Sequence, residues 1–270
     1  YHYLNQHADI EMSSEKEPDF FSNSSLRQQG LYYGKNPIDT IEKYHSLFKK
    51  EDVILRGEAS VSYLFYEEVP KNIFAYNPDA KIIIMLRSPI DRAFSHYLMD
   101  YKLGLNSESF EAIIQKKSEH KNANLFYQQY IKLSEYTNQI KRYLEVFKKQ
   151  NILVIDYDEF KKQNSDTVNS VFVFLGLNSK QKFSYKKKYN TYNRPRNSFI
   201  RYVYSLVSLR KILVRIFPDF LIIMFREFLF TSDKKPKLDK LTRDALKKHF
   251  ASDVRGLSKL LNKDFAKWIR

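Results

Sequence analysis

Residues 82–86, Ile-Ile-Ile-Met-Leu, form an apolar run closed by Lys81 and Arg87. A run with no polar alternation is what a strand covered on both faces requires, so it predicts a buried strand of a parallel sheet over 80–87. The residues just beyond it narrow the fold. Ser88 carries a hydroxyl that can cap a helix, Pro89 suits the first helical position, and Asp91 lies where the positive helix end favours an acid. A second unit of the same kind is predicted downstream. An amphipathic helix over 134–151 places Ile140, Tyr143, Leu144 and Phe147 on one face. A buried strand over 152–160 and a helix over 164–177, closed by Gly176, come next. Strands alternating with helices imply an α/β fold with a central, mostly parallel sheet flanked by helices.

The remaining segments fill in this frame. Tyr1 to His7 reads as the close of a helix and 9–22 as a short strand or loop. A helix over 39–50 is marked by Ile41, Tyr44, Leu47 and Phe48. Residues 53–65 begin as a strand and become a loop, 72–78 is a short helix, and 238–261 holds one or two amphipathic helices, giving a helical C-terminal part. No internal repeat or low-complexity linker interrupts the chain, so a single domain over 1–270 is expected.

Of the 270 residues 43% are hydrophobic, enough for a sizeable core. Lys and Arg number 46 against 31 Asp and Glu, a net charge of +15. That excess favours an anionic partner: nucleic acid, acidic lipid, acidic polysaccharide or a phosphorylated cofactor. The absence of cysteine excludes disulfides, thiolate catalysis and Cys-based zinc sites, and fits a cytoplasmic location. The six His show no metal-ligand spacing, so no metal is expected. No helix-turn-helix, RRM or zinc pattern supports a nucleic-acid partner, and the charge is spread along the chain. Residues 199–230 are apolar but interrupted by Arg201, Arg210, Lys211, Arg215 and Arg226. No run there reaches the roughly 20 apolar residues of a spanning helix. Its apolar and basic faces suit peripheral contact with an anionic membrane, and equally suit covering the sheet.

The strand ending at Leu86 delivers Arg87 to the carboxyl edge of the sheet, where open α/β folds bind ligands. The helix after Ser88 offers free N–H groups and a positive dipole. Ser95 lies about two turns into it, and Arg87 can grip phosphate oxygens through two parallel hydrogen bonds. On residues alone, an Arg87 paired with a carboxylate and a Ser95 facing a neighbour are as good a reading.

The pattern Arg87, Pro89, Arg92, Ser95 and Tyr97 resembles the 3′-phosphate-binding motif Arg-x-Pro-x-x-Arg-x-x-Ser-x-Tyr. That motif belongs to the sulfotransferases that use 3′-phosphoadenosine 5′-phosphosulfate (PAPS). The resemblance implies that Arg87 and Ser95 hold the 3′-phosphate of the cofactor; Arg92 reads equally as a surface or intrahelical ion-pair residue. "KEPDFF" (16–21) resembles the segment after the family's phosphosulfate loop. There the carbohydrate-modifying, heparan-sulfate-type branch carries its general base, implying a catalytic Glu17 with Lys16 beside it. A carboxylate in reach of an acceptor hydroxyl can take its proton; without the resemblance Glu17 reads as a solvated acid.

"GEASVSYL" (57–64) resembles the Gly-Glu-x-x-Pro-x-Tyr-Leu segment lining the acceptor cleft, implying substrate contacts at Glu58 and Ser60. Val61 replaces the Pro, and Ala59 stands where many members have Lys or Ser. "NTYNRPR" (190–196) resembles the loop closing over the cofactor, implying Asn190, Arg194 and Arg196 as cofactor-binding residues. Lys186, Lys187 and Lys188 read as solvated, and Tyr136 and Trp268 as packing positions.

The resemblance implies a P-loop-kinase-like sulfotransferase fold and transfer of a sulfuryl group from PAPS to a hydroxyl acceptor. The acceptor it implies is a carbohydrate, a glycan or glycolipid, and no metal is needed. The family's first strand and its phosphosulfate-cradling loop would precede Tyr1. The chain is therefore expected to lack them and, as given, to bind PAPS poorly. Two other readings stay open: a basic protein that binds nucleic acid or anionic membrane, and a nucleotide-dependent kinase of related architecture.

Overall fold

A computed structural model of the chain describes residues 1–31, 33, 37–178, 194–206, 216–218, 221–222, 224, 228–231 and 235–270. In chain order the elements are β1 (Ile10–Met12), α1 (Asn23–Gln29), α2 (Ile41–His45), β2 (Leu55–Gly57), α3 (Val69–Tyr76), β3 (Ile82–Leu86) and α4 (Pro89–Lys102). Next come α5 (Phe110–Ile114), α6 (Ala123–Tyr130), α7 (Tyr136–Val146), β4 (Ile152–Asp156), α8 (Tyr157–Lys162) and α9 (Asn164–Phe174). The last are β5 (Arg194–Pro195), α10 (Ser198–Ser205), β6 (Phe230–Thr231) and α11 (Lys240–Leu261). The chain forms two compact units, each assembled from three separated segments. The first comprises Tyr1–Leu31, Lys35–Arg87 and Tyr136–Lys188; the second comprises Tyr32–Gly34, Ser88–Glu135 and Tyr189–Arg270.

The first unit contains two parallel strand pairs. β1 pairs with β2 from Ile10↔Leu55 to Met12↔Gly57, and β3 pairs with β4 from Ile82↔Ile152 to Leu86↔Asp156. Among the described residues each ladder stops within its pair, so the parallel sheet is divided rather than continuous. Helix α9 serves both pairs: it adjoins β4, and its Val168 and Phe172 pack against Ile10 and Met12 of β1. Gly176, at φ +75°, ends this helical stretch as the sequence suggests. α7 buries Ile140 and Tyr143 of the anticipated face, with Phe147 just beyond the helix and Leu144 only half-buried, and Tyr136 is buried at its start.

β3 departs from expectation. Ile84 and Leu86 are buried, but Met85, on the alternate face, is 46% exposed. Uniformly apolar residues conceal a sided strand, because neither Ile nor Met marks its solvent-facing position with polarity. The amino-terminal residues also differ: Leu4–Gln6 make a single 3₁₀ turn.

The second unit is chiefly helical. Ser88 Oγ accepts the Asp91 N–H at 3.4 Å and Pro89 occupies the first turn of α4, as the sequence indicates. α4 buries Ile90 and Ala93, and α6 buries Phe126 and Tyr130. α11 is one helix of 22 residues, with Asp239 accepting the Thr242 N–H at 2.9 Å. Its buried Leu246, Phe250, Val254 and Leu257 repeat at helical spacing. Trp268 is buried beside Phe265, with ring centroids 4.6 Å apart. On α10, Phe199 and Tyr202 are 73% and 65% exposed. No helix among the described residues is long and apolar enough to cross a membrane.

Candidate active site

Because β1 and β2 run parallel and adjacent, the segments leaving their carboxyl ends travel side by side. The Ser13 N–H donates to the Gly57 carbonyl at 2.8 Å, the Glu17 N–H to the Ala59 carbonyl at 3.1 Å, and the Asp19 N–H to Ser60 Oγ at 3.1 Å. Within this loop Glu17 has φ +58° and Asp19 φ +55°, both in the left-handed region that favours glycine. The Pro18 ring restricts the backbone of residue 17 further. Non-glycine residues persist there only where their surroundings over-determine them. The Glu17 carboxylate is partly exposed and lies 3.7 Å from Lys16 Nζ. The two residues assigned to catalysis therefore sit together on a strained, firmly held turn.

The partly buried Glu58 carboxylate is the centre of that hold. Its Oε1 accepts the Tyr63 hydroxyl at 2.6 Å and the Tyr44 hydroxyl at 3.2 Å; its Oε2 accepts the Ser60 hydroxyl at 2.8 Å. Burial raises its affinity for protons above the ordinary carboxylate range despite the three hydroxyl donors, and the nearby Asp19 charge adds to the rise. The Tyr44 and Tyr63 phenols are pushed far upward, first by burial and then by the Glu58 charge, so both remain protonated donors. Glu58 and Ser60, assigned to substrate contact, thus have their polar atoms engaged with the protein's own groups.

Arg87 follows β3, and Tyr157 follows β4 at the equivalent place, since Leu86 pairs with Asp156. The Arg87 guanidinium lies over the Tyr157 ring, 5.3 Å from its centroid, and the Tyr136 hydroxyl donates to the Arg87 carbonyl at 3.0 Å. Tyr136, expected only to pack, also fixes the backbone at Arg87.

In the second unit, Lys235 Nζ donates to Ser95 Oγ at 2.5 Å. Lys235 drew no attention in the sequence, because 140 residues separate it from its partner. Arg92, read as a surface or intrahelical ion-pair residue, is half-buried; one terminal nitrogen donates to His96 Nδ1 on its own helix at 3.2 Å, and its other contacts reach a different element. Its Nε donates to Ser134 Oγ at 2.6 Å, and the other terminal nitrogen donates to the Gln129 and Tyr130 carbonyls at 2.7 and 2.6 Å. It fastens α4 to the end of α6. Tyr97 joins an aromatic cluster with Phe110 and Tyr130. Arg194 lies in β5 opposite Thr231, and the exposed Arg196 lies over the Phe228 ring at 5.8 Å. Asn190 and Lys186, Lys187 and Lys188 lie outside the described residues. A guanidinium at Arg87 and a hydroxyl with an adjoining ammonium at Ser95 are donor types that suit a nucleotide phosphate.

Comparison with known proteins bears on this chemistry. The chain is 27% identical over 161 residues to the bifunctional heparan sulfate N-deacetylase/N-sulfotransferase 1 of Caenorhabditis briggsae, covering 57% of this chain and 19% of that protein. It is 23% identical over 231 residues to human carbohydrate sulfotransferase 15, covering 66% of this chain and 41% of that protein. The chain thus spans well under half the length of these curated relatives. A crystal structure of a sulfotransferase from Alicyclobacillus acidocaldarius superposes with a TM-score of 0.69 and 26% identity, covering 99% of this chain and 92% of the other. That likeness establishes the α/β sulfotransferase fold. The sulfotransferase domain model matches residues 2–202, and the chain belongs to that family.

Proposed function

We propose that the protein transfers a sulfuryl group from PAPS to a hydroxyl of a carbohydrate acceptor, with Glu17 as general base. The observation that carries this reading is the left-handed turn at Glu17 and Asp19, held by hydrogen bonds from 58–63. Strain of this kind collects at functional sites. The relatives' names, heparan sulfate N-sulfotransferase and carbohydrate sulfotransferase, support a sugar acceptor.

When bound, PAPS supplies an activated sulfuryl group. Glu17 takes the proton of the acceptor hydroxyl, making the oxygen a better nucleophile. Lys16 sets a positive charge beside it, suited to an anionic donor or an acidic glycan. Arg87 and Ser95, with Lys235 beside Ser95, hold the 3′-phosphate. Arg194 and Arg196 add to the positive field that counters charge growing on the departing phosphate, and Asn190 brings a neutral amide donor to the cofactor.

Calorimetry with adenosine 3′,5′-bisphosphate on the full-length protein tests the nucleotide site. Arg87→Ala loses binding and Lys235→Ala weakens it; undiminished binding in Arg87→Ala removes the assignment. Glu17→Ala keeps nucleotide binding and loses turnover; a normal rate refutes the base role. The exposed apolar side chains of α10 support a compatible addition, peripheral contact of 199–230 with an anionic membrane surface.

A further inference from the structure

We infer that Glu58 is a positioning residue for the reaction: through the hydroxyls of Ser60 and Tyr63 it holds the backbone that follows Glu17, and so aims the Glu17 carboxylate. The inference rests on the reading of Glu17 as the base.

The reasoning begins with hydrogen-bond polarity. A backbone N–H can only donate. The Asp19 N–H points at Ser60 Oγ at 3.1 Å, and the Phe21 N–H at the Tyr63 phenol oxygen at 3.2 Å. Each hydroxyl must therefore send its own proton elsewhere, and both send it to Glu58, at 2.8 Å from Ser60 and 2.6 Å from Tyr63. One carboxylate thus orients two hydroxyls, and each grips the loop two and four residues past the base. Two more ties act on the same stretch. The Glu17 N–H donates to the carbonyl of Ala59, the neighbour of Glu58, and the Ser62 hydroxyl donates to Asp19 Oδ1 at 2.6 Å. Rings close the far side, with Phe20 stacked on Tyr44 at 4.5 Å, and the Tyr44 hydroxyl is the third donor to Glu58.

This clamp opposes a definite force. A non-glycine residue in the left-handed region is disfavoured because its Cβ crowds the following carbonyl oxygen, and the loop holds two of them. Without the hydrogen bonds to residues 58–63, the backbone at 17 and 19 relaxes toward negative φ and carries the Glu17 side chain with it. A displacement of about 1 Å at a reacting group lowers the rate roughly a hundredfold. A direct acceptor contact by Glu58 would instead require carboxylate oxygens facing the substrate, and here both are engaged with the protein.

The test is steady-state kinetics on the full-length protein with PAPS and a sulfatable oligosaccharide, together with bisphosphate calorimetry and thermal melts. Ser60→Ala removes one grip; Tyr63→Phe removes the other; Glu58→Gln replaces one accepting oxygen by a donor. Each is expected to lower kcat about ten- to a hundredfold, with acceptor KM and bisphosphate Kd within about twofold. Ser60→Thr keeps the hydroxyl and restores kcat. In a Glu17→Ala background, Ser60→Ala costs nothing further, because its effect passes through the base.

Several results overturn the inference. One is wild-type kcat in Ser60→Ala and Tyr63→Phe; if Glu17→Ala is inactive in that case, the base reading survives alone. Another is a raised acceptor KM at unchanged kcat, which would make Glu58 and Ser60 substrate contacts. A third is an equal loss from Ser60→Ala with and without Glu17, which would mark a merely structural role. If Ser60→Ala fails to fold, Tyr63→Phe and Ser60→Thr carry the same kinetic comparison. Full turnover in Glu17→Ala removes the base reading itself.

Discussion

Two arginines of one motif should behave in opposite ways when truncated. In Arg92→Ala, four donated hydrogen bonds vanish, to the Gln129 carbonyl, the Tyr130 carbonyl, the Ser134 hydroxyl and, on its own helix, His96 Nδ1. The residues that receive them are buried: Ser134 and Tyr130 are 0% exposed and Gln129 is 4% exposed. Ser134 Oγ still donates to the Tyr130 carbonyl at 2.9 Å, which leaves the Gln129 carbonyl and the tie to Ser134 as the principal losses. Hydrogen bonds involving a charged group contribute about 1.5–3 kcal/mol each and do not simply add. Two such losses amount to about 3–4 kcal/mol. At 2–4 °C per kcal/mol for a chain of this size, Tm falls by about 6–16 °C. Arg92→Lys recovers less than half, since an ammonium on a flexible stem cannot reproduce the planar fork. Thermal melts followed by circular dichroism read the first effect. Calorimetry with adenosine 3′,5′-bisphosphate, well below the lowered Tm, is expected to give a Kd within about threefold of wild type. Arg87→Ala has the reverse signature. The cation–π contact with Tyr157 is worth about 0.5–1 kcal/mol, so Tm moves by no more than about 4 °C while nucleotide binding is lost. A stable Arg92→Ala that binds bisphosphate tenfold or more weakly would refute the structural role assigned to Arg92.

His96 predicts an acid-labile second unit. Its ring, beside Tyr33, Asp100 and Arg92, has a pKa lowered to about 3, first by burial and then by the Arg92 charge. The folded value lies below the unfolded one of about 6.5, so the neutral ring's contribution is complete above pH 6.5 and is lost as pH falls toward 3. At about 1.4 kcal/mol per pH unit, wild type loses about 2 kcal/mol relative to His96→Gln between pH 7 and pH 5, measured by urea unfolding. Parallel stabilities across that range would refute the assignment. For the membrane contact, Phe199→Ser with Tyr202→Ser is expected to reduce co-flotation with anionic vesicles and leave the melt unchanged. Equal flotation of variant and wild type would remove that surface.

The elements read most securely from sequence were those whose signals are local. A hydroxyl three residues ahead of an N–H, a proline at the first helical position and four apolar residues at helical spacing all act within a turn or two. α4 and α11 accordingly form where the pattern places them. Where two local signals compete, the pattern misleads. Residues 152–160 read as one strand because Tyr157 and Phe160 suit either period. Asp156 decides the matter by accepting the Asp158 N–H at 2.8 Å, which starts α8. Family membership was legible because the phosphate motif is a local pattern too, a strand end and a helix start.

The candidate site was legible only as far as side chains act near their own place in the chain. Glu17 could be named through resemblance, but nothing in a glutamate followed by proline announces a left-handed backbone. Arg92 could be seen to lie on a helix four residues from His96, but not to reach Ser134, 42 residues on. For Glu58 the difference matters most to mechanism. Its place in a Gly-Glu segment points to the acceptor cleft. Its hydrogen bonds, through Ser60 and Tyr63, point to the back of the loop that bears Glu17, across some 40 residues of chain. The expectation and the observation are compatible: a cleft wall proposed to face the substrate must be held rigid from behind. A carboxylate whose oxygens are all turned inward does that supporting work, while Glu17, with its carboxylate partly exposed, is the one able to meet a hydroxyl.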